Sequence, residues 1–313
     1  MISNLDLPPY TIDPGVLARF DQRRTAFGRR HWDEDAAFYG QGVHDRAAEA
    51  LAKGTEGYSR QEFARLRAAW TVSDHFRGAY AWEKLGGPDP ALGGLPPHPV
   101  DDPVLASEQV KATARAYGAD LAGVCALDLR WLYARRMDGT AIDMPESVNR
   151  AVVMAIHMDP AGIAHSPDFR AGTATGVGYS RMAYAIACLA EFLRNLGYRA
   201  LPMGNDSALS IPLAIDAGLG ELGRNGLLLT PQYGACVRLC KVLTDMPLAP
   251  DRPISFGVQQ VCRGCRRCAR HCPAGAISDA DEPSFEVVCP SNNPGIRRWA
   301  VHADKCYSFW VEN

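Results

Sequence analysis

Between Pro103 and Thr244 the apolar positions switch repeatedly between a helical spacing and short unbroken runs. Ser107 is placed to cap a helix running to Tyr117, with Gly118 as its stop. Leu121–Leu127 and Ala151–His157 are compact apolar runs of strand length. Met182, Ile186, Leu189, Leu193 and Leu196 recur at three- and four-residue intervals, which predicts a helix capped by Ser180 and ended at Gly197. Tyr198–Leu201 then reads as a strand, Pro212–Ala217 as a short helix, Leu227–Leu229 as a short buried run and Ala235–Thr244 as a buried strand. Alternating elements of this kind predict one α/β (α+β) domain over residues 103–250.

The flanks read differently. Residues 1–102 are rich in Arg, Ala and aromatics, mostly helical or irregular, with helical stretches at Glu34–Phe38, His44–Lys53 and Arg60–Trp70. They close in a Gly/Pro-rich segment from Gly86 to Pro103 that predicts a linker or a surface arm. Residues 251–313 are loop-rich and hold half of the ten cysteines within Cys262–Cys289.

Composition narrows the function classes. A hydrophobic content of 47% allows a sizeable core, and a net charge of −2 gives no general attraction to nucleic acid or an anionic membrane. No apolar run approaches the ~20 residues needed to span a bilayer. The N-terminus lacks a basic start followed by an apolar stretch. These readings predict a cytoplasmic chain, in which clustered cysteines bind metal rather than pair as disulfides.

The motif Cys262-Arg-Gly-Cys265-Arg-Arg-Cys268-Ala-Arg-His-Cys272-Pro273 has bacterial ferredoxin spacing. Three cysteines at two-residue gaps place three thiolates on one cubane; the fourth, followed by proline, ligates the other cluster in two-cluster proteins. This predicts a small ferredoxin-like [4Fe-4S] domain at the end of the chain. A zinc knuckle is the competing reading, but zinc favours separated cysteine pairs. Arg263, Arg266, Arg267, Arg270 and His271 interleave with the cysteines; they offset cluster charge, dock an acidic electron donor, or form a solvated basic loop. Cys306 is the better later ligand, and Cys289 reads as a structural thiol. The chain stops at Asn313, seven residues after Cys306. Two four-thiolate clusters cannot be completed from these cysteines, so either the sequence is cut short or one cluster has an unusual ligand. Cys125, Cys188, Cys236 and Cys240 read as small buried hydrophobes.

Several stretches resemble the corrinoid- and iron–sulfur-dependent reductive dehalogenases: Gly178–Ala187, Gly204–Ser207, Ala217–Pro231, Val237–Leu248, the ferredoxin motif, Asn293–Trp299 and Asp304–Trp310. The likeness covers about residues 103–313, in the family's order. It implies a base-off corrinoid (cobalamin type) in the α/β domain, reduced through one or two [4Fe-4S] clusters, acting on a small organohalide and served by an electron-donor protein or reductase domain. Tyr179 matches the family's proton donor, Arg238 its partner, and Asn205 a substrate-pocket position. Cys306 matches the opening of the second cysteine motif. The chemistry is coherent, because a phenol is a poor donor until a neighbouring cation stabilises the phenolate.

The run 218–226 is not a dinucleotide fingerprint, since it follows a short helix rather than a strand. Gly218, Gly220, Gly223 and Asn225 let backbone approach a corrin ring, or simply form a turn cluster. No Asp-x-His-x-x-Gly occurs, in keeping with a cobalt lacking a lower protein ligand. Two other readings stand beside this one: an epoxyqueuosine-reductase-like enzyme of the same architecture, and a non-catalytic corrinoid or electron carrier.

Overall fold

Four apolar segments form one sheet: Leu121–Ala126 (β1), Arg150–His157 (β2), Ala200–Met203 (β3) and Val237–Thr244 (β4). Their order is β1-β2-β4-β3, with every neighbouring pair antiparallel. The computed structural model describes residues 2–43, 45–75, 89–92 and 94–313. His44, where the second N-terminal helix was expected to start, and Gly86–Pro88, where the linker was expected to begin, lie outside the described residues. The remainder of that second helix forms over Ala47–Lys53.

The helices that frame the sheet are Arg60–Ala69 (α1), Pro103–Ala116 (α2), Phe169–Asn195 (α3) and Ser210–Asp216 (α4). Alternation along β2 shows why its sequence is apolar without interruption. Val152, Met154 and Ile156 pack with Val110 and Ala114 of α2 and Met182, Ile186, Leu189 and Leu193 of α3. Ala151, Val153 and Ala155 face the opposite layer, with Leu213, Ala214 and Ile215 of α4 and with Trp131 and Leu132. A strand covered on both faces needs no polar side, and each large side chain so buried contributes about 1.5–3 kcal/mol.

Two helices begin earlier than their caps predict. Asp102 accepts from Val104 N and Leu105 N at 2.9 and 3.1 Å, so α2 starts at Pro103. Ser107 lies inside it, with its hydroxyl donating to Pro103 O and Ala249 O. Likewise Asp168 caps α3, accepting from Arg170 N at 2.8 Å, and Ser180 is interior. The first half of α3 escapes the apolar periodicity because glycines occupy its packed face. A Cβ at Gly176 would lie 2.6 Å from Trp70 Cδ1, so only glycine admits the end of α1 at that distance. Glu34–Phe38 is not a helix; it turns through Ala36 N–Asp33 O and Tyr39 N–Ala36 O bonds instead. Leu227 is exposed, and only Leu228–Leu229 forms a strand, paired with Glu221–Leu222.

The segment after Asp251 carries Val258–Cys265 (α5), Arg267–Arg270 (α6) and Ala303–Glu312 (α7). It is knitted to the N-terminus. Ser3–Asn4 pairs with Ile254–Ser255, and Thr11–Ile12 with Ile296–Arg297. Phe38 and Ala26 pack against Tyr307 and Val311 of α7. The buried Arg29 pairs with Asp33 at 2.6 Å and Asp304 at 2.5 Å. Among the described residues no helix is long and apolar enough to cross a membrane.

Candidate functional site

Tyr179 on α3, Arg238 on β4 and Asn205 in the loop between β3 and α4 meet at one place. Asn205 Nδ2 donates to the Tyr179 hydroxyl oxygen at 2.5 Å. The Arg238 guanidinium carbon stands 4.9 Å from the centre of the Tyr179 ring, and its Nε donates to Met158 Sδ at 3.2 Å. Gly178 makes this approach possible: a Cβ there would stand 3.0 Å from Met158 Cγ and 3.2 Å from Arg238 Cγ. Trp70 covers the tyrosine ring from the α1 side, with centroids 4.9 Å apart and planes 27° from parallel. Its Nε1 donates to Gly172 O. Asn205 is exposed while Tyr179 and Arg238 are half-buried, so the polar edge of the group is open to a ligand.

The loop that carries Asn205 is held from below by a residue the sequence reading passed over. Lys241 on β4 is fully buried, and its Nζ faces Gly204 O at 2.5 Å, Ala208 O at 2.8 Å, Ser210 Oγ at 3.0 Å and Asp206 O at 3.2 Å. Burial pushes the amine down to about 8, with the Asp206 carboxylate working against the shift. Ser207 sits in the left-handed region at φ 63°, and Asp206 Oδ1 takes the Gly204 N–H at 2.8 Å. A lysine amid a strand of apolar residues was the available signal. Nothing in sequence marked Trp70 as a partner of Tyr179, because their elements are far apart along the chain. Beside Met158 an open groove of about 640 Å³ runs past His157, Asp159, Val177 and Arg181.

The glycine-rich run does not join this group. It folds as a hairpin whose glycines are filled by the chain itself: Gly218 lies against Arg252 O, Gly220 against Leu229 O, and Gly223 against Asn225 Oδ1 and Leu229. Asn225 Oδ1 accepts from Leu227 N at 3.2 Å. The hairpin instead grips the cysteine segment. Glu221, buried, accepts from Phe256 N at 2.6 Å, Gly257 N at 3.1 Å and Val258 N at 3.3 Å, and so caps α5. Arg224 N donates to Cys262 Sγ at 3.4 Å.

Cys262 and Cys265 lie on α5 and Cys268 on α6, with Arg266 between the helices in the left-handed region at φ 50°. Ala276 N donates to Cys272 Sγ at 3.4 Å. The Cys268 thiol is raised by burial and then by Cys262, and the Cys306 thiol by burial and then by Cys272. Among the described residues no group of three or more His, Cys, Asp or Glu is gathered as a metal-binding set. Around the motif, Arg263 pairs with Glu282 at 3.1 Å, and Arg266 with Asp279 and Asp281. The basic loop is therefore partly neutralised. Cys125, Cys240 and Cys289 are buried and Cys188 and Cys236 half-buried; burial pushes the Cys240 thiol up to about 12.

Comparison with known proteins places these features. Residues 138–248 match the Dehalogenase family, described as reductive dehalogenase subunit. The chain is 36% identical over 253 residues to a tetrachloroethene reductive dehalogenase of Desulfitobacterium hafniense, covering 66% of this chain and 45% of that one. A tetrachloroethene reductive dehalogenase of Sulfurospirillum multivorans is 34% identical over 252 residues, covering 70% and 50%. The chain thus spans about half the length of the curated relatives it matches. A solved reductive dehalogenase structure, which suggests a mechanism for B12-dependent dehalogenation, superposes with a TM-score of 0.75 at 26% identity, covering all of this chain and 42% of that one. An epoxyqueuosine reductase of Listeria monocytogenes matches less, 32% over 131 residues and 38% of this chain. By sequence and by fold, the chain belongs to the reductive dehalogenase family.

Proposed function

We propose that the chain carries the reducing core of a corrinoid-dependent reductive dehalogenase, in which halogen on a small organohalide is replaced by hydrogen. The observation that carries this reading is the meeting of Tyr179, Arg238 and Asn205. The net reaction takes two electrons and one proton and releases a halide ion. When bound, a corrinoid and iron–sulfur clusters supply the electrons. The protein's own residues manage the proton. Tyr179 delivers it to the carbon. The phenolate left behind keeps the Asn205 N–H donor and gains the charge of Arg238, two fixed groups aimed at the oxygen and ring where negative charge appears. Trp70 stacked on the ring restricts its orientation, so that the hydroxyl stays at the open edge.

The corrinoid assignment is supported by the B12-dependent relative and by the half-open polar edge of this group. The hairpin glycines give it no support, because their free sides are already taken up. For the clusters the donor chemistry fits: soft thiolates with amide N–H groups directed at Cys262 and Cys272. Cys262, Cys265 and Cys268 would hold one cluster in a ferredoxin-like arrangement. The ferredoxin spacing would give Cys272 to a second cluster, and the family likeness gives that cluster Cys306. An electron-donor protein or reductase domain is the partner this chemistry needs.

The test is halide release from a halogenated alkene or phenol by anaerobic protein reconstituted with cobalamin and given a strong one-electron reductant. Tyr179→Phe should abolish release while corrinoid uptake is retained. Unchanged release would remove Tyr179 from the mechanism.

A further inference from the structure

Arg224 is among the most deeply buried charged residues of the protein, with 1% of its surface exposed. Its guanidinium donates to four main-chain contacts: Nε and Nη2 to Cys262 O at 3.0 and 2.8 Å, and Nη1 to Ser278 O at 2.9 Å and Ala280 O at 2.7 Å. Its face lies 4.5 Å over the Trp299 ring. All of these partners are dipoles or π-electrons. Among the described residues no carboxylate pairs with Arg224, whereas the exposed Arg263 pairs with Glu282 and the half-buried Arg266 with Asp279 and Asp281. The one buried acid of the same hairpin, Glu221, is directed at the amides that open α5.

A buried full charge without a counter-charge is costly, by far more than carbonyl contacts recover. An anion beside the guanidinium would offset that cost. The guanidinium holds the carbonyl of Cys262 at 2.8 and 3.0 Å, and the Arg224 amide N–H is directed at Cys262 Sγ at 3.4 Å. We propose that Arg224 is the counter-charge of an anionic iron–sulfur cluster held by Cys262, Cys265 and Cys268, and that it raises the potential of that cluster. This rests on the iron–sulfur reading above. A [4Fe-4S] core held by three thiolates is already net negative when oxidised and one charge more negative when reduced. A fixed buried cation therefore stabilises the reduced form more than the oxidised one. The same cation couples the hairpin to cluster assembly, because it holds the main chain of a cluster ligand at Cys262 O.

The experiment compares the wild-type chain, Arg224→Gln and Arg224→Lys, each purified anaerobically and reconstituted with iron and sulfide. Iron and sulfide per chain, far-ultraviolet circular dichroism, and the midpoint of a dithionite titration followed by electron paramagnetic resonance are read for each. The expected result is a midpoint displaced to more negative potential in Arg224→Gln, with Arg224→Lys close to wild type. If Arg224→Gln takes up no cluster, restored loading in Arg224→Lys supports the charge, and equal failure of both variants overturns it. A midpoint unchanged in fully loaded Arg224→Gln overturns it as well. A wild-type chain that takes up no iron and sulfide would instead remove the cluster reading itself.

Discussion

Lys241→Met tests whether the loop bearing Asn205 is held by one buried ammonium. The substitution conserves length and apolar stem but removes every hydrogen-bond donor. Gly204 O and Ala208 O both take their bonds from Nζ deep in the protein, at 2.5 and 2.8 Å. Each carbonyl left unsatisfied costs about 1–3 kcal/mol, which puts the loss at ~2–6 kcal/mol. Relief from burying the charge works in the opposite direction, so the lower half of that range, ~2–4 kcal/mol, is the expectation. The measurement is urea unfolding at neutral pH, where the amine is charged in both states. The midpoint should fall with the slope unchanged. Because Asn205 rides on the loop, halide release should also drop in the variant while corrinoid uptake persists. The amine supplies a pH signature too. Its folded value, about 8, lies below the ordinary 10.5. Between these values the unfolded chain binds the extra proton, so wild-type stability gains relative to the variant as pH rises. A midpoint shift worth under ~1 kcal/mol would refute the role of the ammonium, since one unsatisfied carbonyl alone should cost that much.

Asp216 and Glu221 give two further expectations. Burial pushes the Asp216 carboxyl up to about 6 from 3.8, although the Tyr10 hydroxyl donates to it at 2.7 Å. The folded protein binds this proton more tightly, so the associated stability is fully present below the unfolded value and is lost as pH rises through about 6, ~3 kcal/mol at most. Urea midpoints across that window should decline in wild type and stay flat in Asp216→Asn; parallel curves would exclude Asp216 as the source. Glu221→Gln removes the charge that caps α5 and should cost ~1–2 kcal/mol. Amide exchange at Phe256, Gly257 and Val258 should accelerate; unaltered exchange would show that the carboxylate charge is dispensable there.

The sheet was legible in sequence because its strands are short apolar runs whose two faces are both covered, and such runs have little else to be. The helix starts were misread for one reason. Asp102 and Asp168 precede segments where proline and glycine hide the helical period, so the first serine inside the regular pattern looked like the cap. Tyr179, Arg238 and Asn205 could be nominated only through the family likeness; spacing alone did not bring three elements together. The partners of Trp70, Lys241 and Arg224 were out of reach because they lie on segments remote in sequence, although Lys241 stood out as a lysine in an apolar strand. Arg224 did carry a signal, a cation inside a glycine-rich, otherwise uncharged turn beyond Glu221.

The hairpin of residues 218–229 also changes how the cysteine segment is understood. Composition shifts sharply at Asp251, but packing does not stop there. The start of α5 is capped by Glu221, the carbonyl of Cys262 is held by Arg224, and Gln259 Nε2 donates to Leu222 O at 2.8 Å. The far end is fixed by Arg29 on Asp304. Buried side chains in residues 251–313 are few, among them Val258, Ala276, Trp299 and Ala300, too little for a core that would set thiol positions unaided. The cysteine side chains are therefore positioned by the sheet layer on one side and the N-terminal region on the other. A change in the hairpin that follows α4 therefore acts on the cysteine segment even where no cysteine is touched.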